Sequence, residues 1–283
     1  MLDAVVCNYK TPDDLEGFLA SWDAYAPEWC NLTIVNVDPG PKDVEIAKSY
    51  ASMRVEDFSE PPVINNTPLR LVTSAAITYR RYRQHDSNVG YSYACNDAVV
   101  GSEAEVLAFF NADTRLMPGT IEPLYFNMMT NPDWGVIGPR QVDDRGKITH
   151  AGILGTNEKP ELRGWMQQDS PAYADVIDTA VSVMGSAYFV RRTCWESLRL
   201  CPIFKAKHPS AMGAFLPTRH YYEETWCSYH ARAHGWKVVY YGLSKMVHRW
   251  HKASPVGGPA DALFSESQKI FRDMCDAHDI RRD

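Results

Sequence analysis

The chain has 283 residues, 45% of them apolar and 23% charged, with a formal net charge of -6 and a pI near 5.9. That is enough apolar chain for a sizeable α/β core with or without extensions, and it excludes an intrinsically disordered protein. The acidic balance leaves no footprint for duplex DNA or an anionic membrane, and no apolar run approaches the length of a membrane span.

Seven cysteines, an odd number with no C-x-x-C pair, fit neither a disulfide framework nor a zinc ribbon, so free thiols in a cytoplasmic setting are expected. Ala4 to Cys7 reads as a short apolar strand that begins too early to leave room for a secretory leader. Thr11, Pro12, Asp13 and Asp14 then supply an N-capping hydroxyl, a proline at the first helical position and acids in the first turn. Leu15, Phe18, Leu19 and Trp22 follow at i, i+3, i+4 and i+7, one apolar helix face. Leu32 to Val37 is a second strand, stopped by Asp38-Pro39-Gly40-Pro41, and residues 42–51 form the next helix. Strand then helix, twice over, predicts βαβ units and a parallel sheet. Residues 58–78 read as irregular, with Pro61-Pro62 and Asn65-Asn66 breaking any period, and Arg80 to Arg83 as a basic, solvated strand end.

Residues 91–100 predict a helix feeding the apolar run Val106 to Phe110, which stops at Asn111-Ala112-Asp113. A continuous apolar run suits a buried parallel strand, and open α/β sheets bind ligands beyond the carboxyl ends of such strands. Carboxyl and amide oxygens placed there suit a cation on a diphosphate; they equally suit a turn. Pro118-Gly119 opens a helix to about Thr130, and residues 134–138 form a strand. Asp143 to Gly146 is a hairpin turn, Ile148 to Gly155 follows it, and Ala180 to Val190 is an apolar segment containing Gly185. Gly185-Ser186 is either a site wall, where a ligand approaches the backbone, or a bulge. Residues 200–222 read as a long loop, 223–233 as a helix, 236–241 and 245–250 as strands, and 260–278 as an amphipathic helix. His230 and His234 share a helix face but lack a third ligand in the sequence nearby, so both are expected to be exposed or packing residues.

Together these segments resemble a family 2 glycosyltransferase of the GT-A fold, in particular the branch similar to rhamnosyltransferases, over residues 4–254. Asn8, Tyr9 and Thr11 fall on the family's first strand and turn, and Asp38 on the acid that contacts base or ribose. Asn88, Gly90 and Asn96 match an N-x-G-x-x-x-x-x-N element beside the nucleotide. Asn111 and Asp113 occupy the D-x-D position, with asparagine for the first acid, so metal binding rests on Asp113. His248, within Val247-His248-Arg249-Trp250-His251, takes the position of a histidine that completes the metal shell, with His251 as fallback. A carboxylate, an imidazole and diphosphate oxygens suit Mn2+ better than Mg2+.

The resemblance places the acceptor side at Gly185 and Ser186, within the second of two landmarks that begin at Thr149 and Val183, and at Tyr222. Glu223 and Glu224 stand at its Y-E-D-x-D position, where the second acid is the general base. Glu224 replaces the usual aspartate and so must reach the same proton from a backbone set further back. Successive helical residues point ~100° apart, so only one of the two acids faces the site.

The implied architecture is a Rossmann-like, mostly parallel sheet flanked by helices, with a mixed acceptor-side extension. A single domain over residues 1–258 would comprise a nucleotide-sugar half (1–139) and an acceptor half (140–258), followed by a helix and tail (259–283). The implied reaction moves a sugar from a nucleotide-diphosphate sugar to a hydroxyl of a glycan or protein, with inversion. A retaining transferase of the N-acetylgalactosaminyltransferase type and a non-catalytic sugar-nucleotide binder are the alternatives.

Overall fold

The computed structural model describes residues 1–52, 63–64, 67–68, 79–249 and 259–280. In chain order its elements are β1 (Leu2–Asn8), α1 (Pro12–Tyr25), β2 (Cys30–Val37), α2 (Pro41–Ser52), β3 (Val63–Ile64), β4 (Thr67–Pro68) and β5 (Arg80–His85). Then come α3 (Tyr91–Ala98), β6 (Val106–Asn111), β7 (Thr114–Arg115), α4 (Ile121–Thr130), β8 (Trp134–Val142), β9 (Ile148–His150), β10 (Ile153–Gly155) and β11 (Pro160–Leu162). The remainder are β12 (Val176–Ile177), β13 (Ala187–Arg191), α5 (Arg192–Arg199), α6 (Pro202–Lys207), α7 (Glu223–Ala233), β14 (Lys237–His248) and α8 (Pro259–Ala277).

β1 and β6 are apolar runs buried on both faces, as strands covered by helices on either side must be. Leu2, Ala4 and Val6 of β1 face a cluster with Leu15, Phe18 and Trp22 of α1 and Leu124 of α4. Val5 and Cys7 point the other way, to Ala94 and Cys95 of α3, Trp195 of α5 and Cys227 of α7. The period of two along one strand thus divides the core between two helical layers.

The main sheet runs β12-β14-β8-β13-β6-β1-β2-β5. β5, β2, β1 and β6 are parallel, whereas β13 runs antiparallel between β6 and β8, and β14 returns parallel to β8. The expected parallel sheet with a mixed extension is therefore present. Because β1 has β2 on one side and β6 on the other, the strand order reverses there, and a crevice opens beyond their carboxyl ends. The basic stretch Arg80 to Arg83 is the sheet edge, with Arg80 paired to Asp23 and Arg83 to Asp97.

Several elements differ from the sequence expectation. Thr11 does not cap α1 through its side chain; its hydroxyl donates to Asn8 Oδ1 at 2.7 Å. Residues 148–155 are two strands, because Gly152, at φ 94° and against the Tyr240 ring, turns the chain between β9 and β10. Gly185 precedes β13 rather than lying inside it, and residues 192–207 hold two short helices. β14 is one strand, with a register shift between Tyr241 and Lys245. Most of residues 58–78, and His251, lie outside the described residues. All seven cysteines are buried. No described helix is long and apolar enough to cross a membrane.

Candidate active site

At the end of β6 the chain turns through Ala112-Asp113, braced by the Thr114 hydroxyl on the Asn111 carbonyl at 2.7 Å. β7 then pairs antiparallel with the end of β14, His248 opposite Thr114, and the Arg249 N–H donates to the Asp113 carbonyl at 3.0 Å. This backbone pairing brings His248 Nε2 to 3.6 Å from Asp113 Oδ1, with the two residues only 3% and 7% exposed. Two ligand atoms each about 2.1 Å from one ion lie about 3 Å apart at a right angle and farther apart at wider angles, so the pair fits a shared cation. A carboxylate oxygen with an imidazole nitrogen suits manganese. Asn111 stands beside them, its N–H donating to the Ser186 carbonyl at 3.1 Å.

Beyond β1 and β2, Lys10 and Asp38 both adopt positive φ, 55° and 47°, and form an ion pair at 2.6 Å. The hydrogen bond to Asp38 raises the Lys10 pKa and holds the ammonium charged. Non-glycine residues in this backbone region are uncommon and cluster at functional sites. Tyr9, 41% exposed, lies beside them with the Lys10 ammonium 5.4 Å from its ring centre.

Asn8 and Asn96 shape the crevice from behind. Asn8 Nδ2 donates to Asn36 Oδ1 at 2.9 Å and Asp43 Oδ1 at 2.8 Å, joining β1, β2 and α2. Asn96 reaches both backbone groups of Phe215, donating to its carbonyl at 3.0 Å and accepting its N–H at 3.2 Å. Asn88 is exposed and its Oδ1 accepts the Gly90 N–H at 3.0 Å. Gly90 must be glycine, since its φ is 85° and a Cβ would lie 2.7 Å from the Arg219 carbonyl.

The acidic pair opens α7. Glu223 is 6% exposed, and its Oε2 accepts from the Thr218 hydroxyl at a long 3.4 Å. Glu224 turns to the other side and lies against Gly185, where an added Cβ would meet its Cδ at 3.1 Å. Glu224 Oε2 is buried, and no hydrogen-bond partner meets it among the described residues. Burial raises the pKa of both acids; the Glu224 charge pushes Glu223 further, while the backbone of Glu224, Thr225 and Gly185 partly offsets the rise at Glu224. Glu224 is therefore the member that ionises more readily.

Next to Gly185, the Ser186 hydroxyl donates to Gln141 Oε1 at 2.6 Å, and Gln141 pairs across the sheet with His150. Gln141 Nε2 and both His150 ring nitrogens are buried without a partner among the described residues, and burial, then the nearby His248, pushes the His150 pKa down to about 3. Buried polar atoms are nearly always paired, so this row leaves donors and acceptors that a ligand could meet. Gln141 carries no sequence signal of its own, and Lys10 lies inside the stretch that resembles the family's first strand and turn without being singled out there. His150 and Arg249 lie inside recognisable motifs, and only the fold brings them beside the site.

Tyr221 and Tyr222 both adopt positive φ, 69° and 68°, immediately before α7. Tyr222 stacks on Phe271 of α8 at 4.9 Å, and its hydroxyl accepts from Gln268 at 3.1 Å. It also lines a cavity of about 690 Å³ between the β10–β11 hairpin, α7 and α8, together with Ile153, Asn157, Thr225 and Arg272.

No protein-family model matches the sequence, and no curated protein matches it. Solved structures do match the fold. GalNAc-T7 with UDP, GalNAc and Mn2+ superposes with a TM-score of 0.63 at 11% identity, over 99% of this chain and 50% of that one. The mannosyltransferase PcManGT from Pyrobaculum calidifontis, with GDP-Man and Mn2+, gives 0.54 at 9%, over 98% and 68%. TarS from S. aureus gives 0.54 at 10%, over 96% and 64%. The chain thus spans half to two thirds of their lengths. At these identities the likeness is one of fold: a GT-A glycosyltransferase-like sheet flanked by helices.

Proposed function

We propose that this chain transfers a sugar from a nucleoside-diphosphate sugar to an acceptor hydroxyl with inversion, using a divalent ion, manganese before magnesium, at Asp113 and His248. One observation carries the reading: a carboxylate–imidazole pair 3.6 Å apart at the β6 end is joined through Asn111, Ser186 and Gly185 to a half-buried glutamate with an unpaired oxygen. The first can hold an ion against a diphosphate, and the second can take a proton.

In this reading Tyr9, Lys10 and Asp38 receive the base and ribose, and Asn88 and Gly90 set the edge of the donor pocket. A bound ion supplies positive charge that stabilises the departing diphosphate. Glu224 accepts the acceptor hydroxyl's proton as that oxygen attacks the anomeric carbon, help of the kind worth about 100- to 10,000-fold. Glu223, with the more strongly raised pKa, keeps its proton and holds the Thr218 turn. Residues 1–139 form the donor half and 140–258 the acceptor half, with the cavity beside Tyr222 open to a glycan or protein acceptor. The mannosyltransferase and GalNAc-T7 structures, which hold Mn2+ with a nucleotide or nucleotide sugar, support the choice of donor and metal. Motif order favours the rhamnosyltransferase-like branch.

The test is nucleoside diphosphate release from a panel of UDP-, GDP- and dTDP-sugars, with manganese and with chelator, followed by the anomeric configuration of the product. Metal-dependent release from one donor with an inverted product is expected. A retained anomer would make Glu224 a contact rather than a base, and the absence of both release and nucleotide binding would overturn the reading.

A further inference from the structure

Away from this site, three elements distant in sequence bring Cys201, His230 and His278 together. Cys201 caps the start of α6, His230 sits in the last turn of α7, and His278 lies in the turn after α8. One potential ligand atom from each lies within 4.8 Å of the other two. Cys201 is 6% exposed and His230 fully buried, among Phe204, Trp226 and the cysteine. The His230 and His278 rings meet edge to face at 4.6 Å. Both His230 nitrogens and His278 Nε2 are buried without a hydrogen-bond partner among the described residues.

An imidazole wholly removed from water with neither nitrogen paired is unfavourable, and ordinary aromatic packing would be served as well by phenylalanine. A neutral imidazole is the form that offers a lone pair to a metal. A thiol and two imidazoles are the donor set of a zinc-type site, and softness separates it from the oxygen-rich, manganese-suited pair at Asp113.

We propose that Cys201, His230 and His278 bind one zinc-type divalent ion that fastens α8 to α7. Zinc–sulfur and zinc–nitrogen bonds of about 2.3 and 2.0 Å place tetrahedral ligand atoms about 3.3 to 3.6 Å apart, so side-chain adjustment of up to about 1.5 Å closes the site. On binding, the Cys201 thiol releases its proton to solvent and the imidazoles coordinate as they stand. His234, exposed and 4.7 Å from the His230 ring, or a water fills the fourth position. The half-buried His278 leaves a route for the ion to enter. The ion would act on architecture rather than chemistry. α8 also holds Tyr222 through Phe271 and Gln268, so the same helix steadies the turn that leads into Glu223 and Glu224.

The test uses the full chain, stripped with chelator and titrated with zinc against a chromophoric competitor, then with cobalt(II). Wild type should take up zinc and show a thiolate-to-cobalt charge-transfer band with tetrahedral d–d absorption. Loss of even an outer-shell partner weakens metal sites about 10- to 100-fold, so Cys201→Ser and His278→Ala should each weaken zinc by at least ~100-fold and remove the band. His248→Ala should keep it. Zinc should also raise the melting temperature of wild type and not of Cys201→Ser. No charge-transfer band in wild type, or affinity unchanged in both variants, would overturn the proposal. Should Cys201→Ser fail to fold, the wild-type cobalt spectrum decides.

Discussion

Glu224 rests its carboxyl carbon where a side chain at residue 185 would begin, 3.1 Å from the Cβ that Gly185 lacks. The glycine is therefore the floor on which the carboxylate is placed. Gly185→Ala must push that carboxylate a few tenths of an ångström away, since Gly185 carries no positive φ that would strain an alanine for backbone reasons. Displacements on this scale erode near-attack geometry, for which 1 Å can cost ~100-fold. Turnover should fall about tenfold with donor affinity unchanged, measured as kcat and nucleotide Kd. Full activity in this variant would remove Glu224 placement from the mechanism.

Asp113→Ala and Glu224→Gln should fail differently. On the proposed reading the first removes a metal ligand and so the charge that meets the leaving group, a loss of about a thousandfold or more that added manganese does not restore. The second keeps metal-dependent nucleotide binding and loses about 100- to 10,000-fold in kcat. Manganese titrations monitored by nucleotide binding and by turnover separate the two, and equal metal dependence in both variants would contradict the assigned roles.

The buried acid pair predicts an unusual pH dependence of stability. The folded-state pKa of Glu223 is raised above its ordinary 4.5, first by burial and then by Glu224. A group with a raised folded pKa stabilises fully below its unfolded pKa, and that stability is lost as pH rises through the folded value. Wild type should therefore lose stability progressively from about pH 4.5 upward relative to Glu223→Gln, which keeps the neutral shape at every pH. Melting temperatures of both proteins against pH test this; parallel curves would refute it.

Asn96 makes a separate, structural prediction. Its amide satisfies both the N–H and the carbonyl of Phe215, and Phe215 packs on Phe109 at 4.7 Å and on Trp195 at 5.1 Å. Asn96→Ala leaves two buried backbone groups unpaired, which costs about 2–4 kcal/mol. Chemical denaturation should show that loss, with a wild-type m-value.

Much of this is legible in the sequence. β1, α1 and β6 followed from unbroken apolar runs and helical spacing, and α7 from residues 223–233. The Asp113–His248 pair came from a resemblance in motif order, and the fold brings the two side chains to 3.6 Å. Other features lay beyond local pattern. α5 and α6 have only eight and six residues, too short for a period to emerge. Ala180 to Val190 is one apolar segment in the sequence, yet β13 begins only at Ala187. His230 and His234 have no third ligand nearby in the sequence, because Cys201 and His278 approach His230 only through the packing of three helices. Proximity between distant segments is not written in spacing.

The short pairing of β7 with the end of β14 has a consequence for synthesis. Asp113 leaves the ribosome long before His248, and the contact between them closes a loop that includes β8, β13 and α7. Contacts this distant in sequence form late and slowly. On the proposed reading, a growing chain that has folded residues 1–139 would carry Asp113 without His248 beside it, and so could not squander activated sugar on water before the rest of the chain exists.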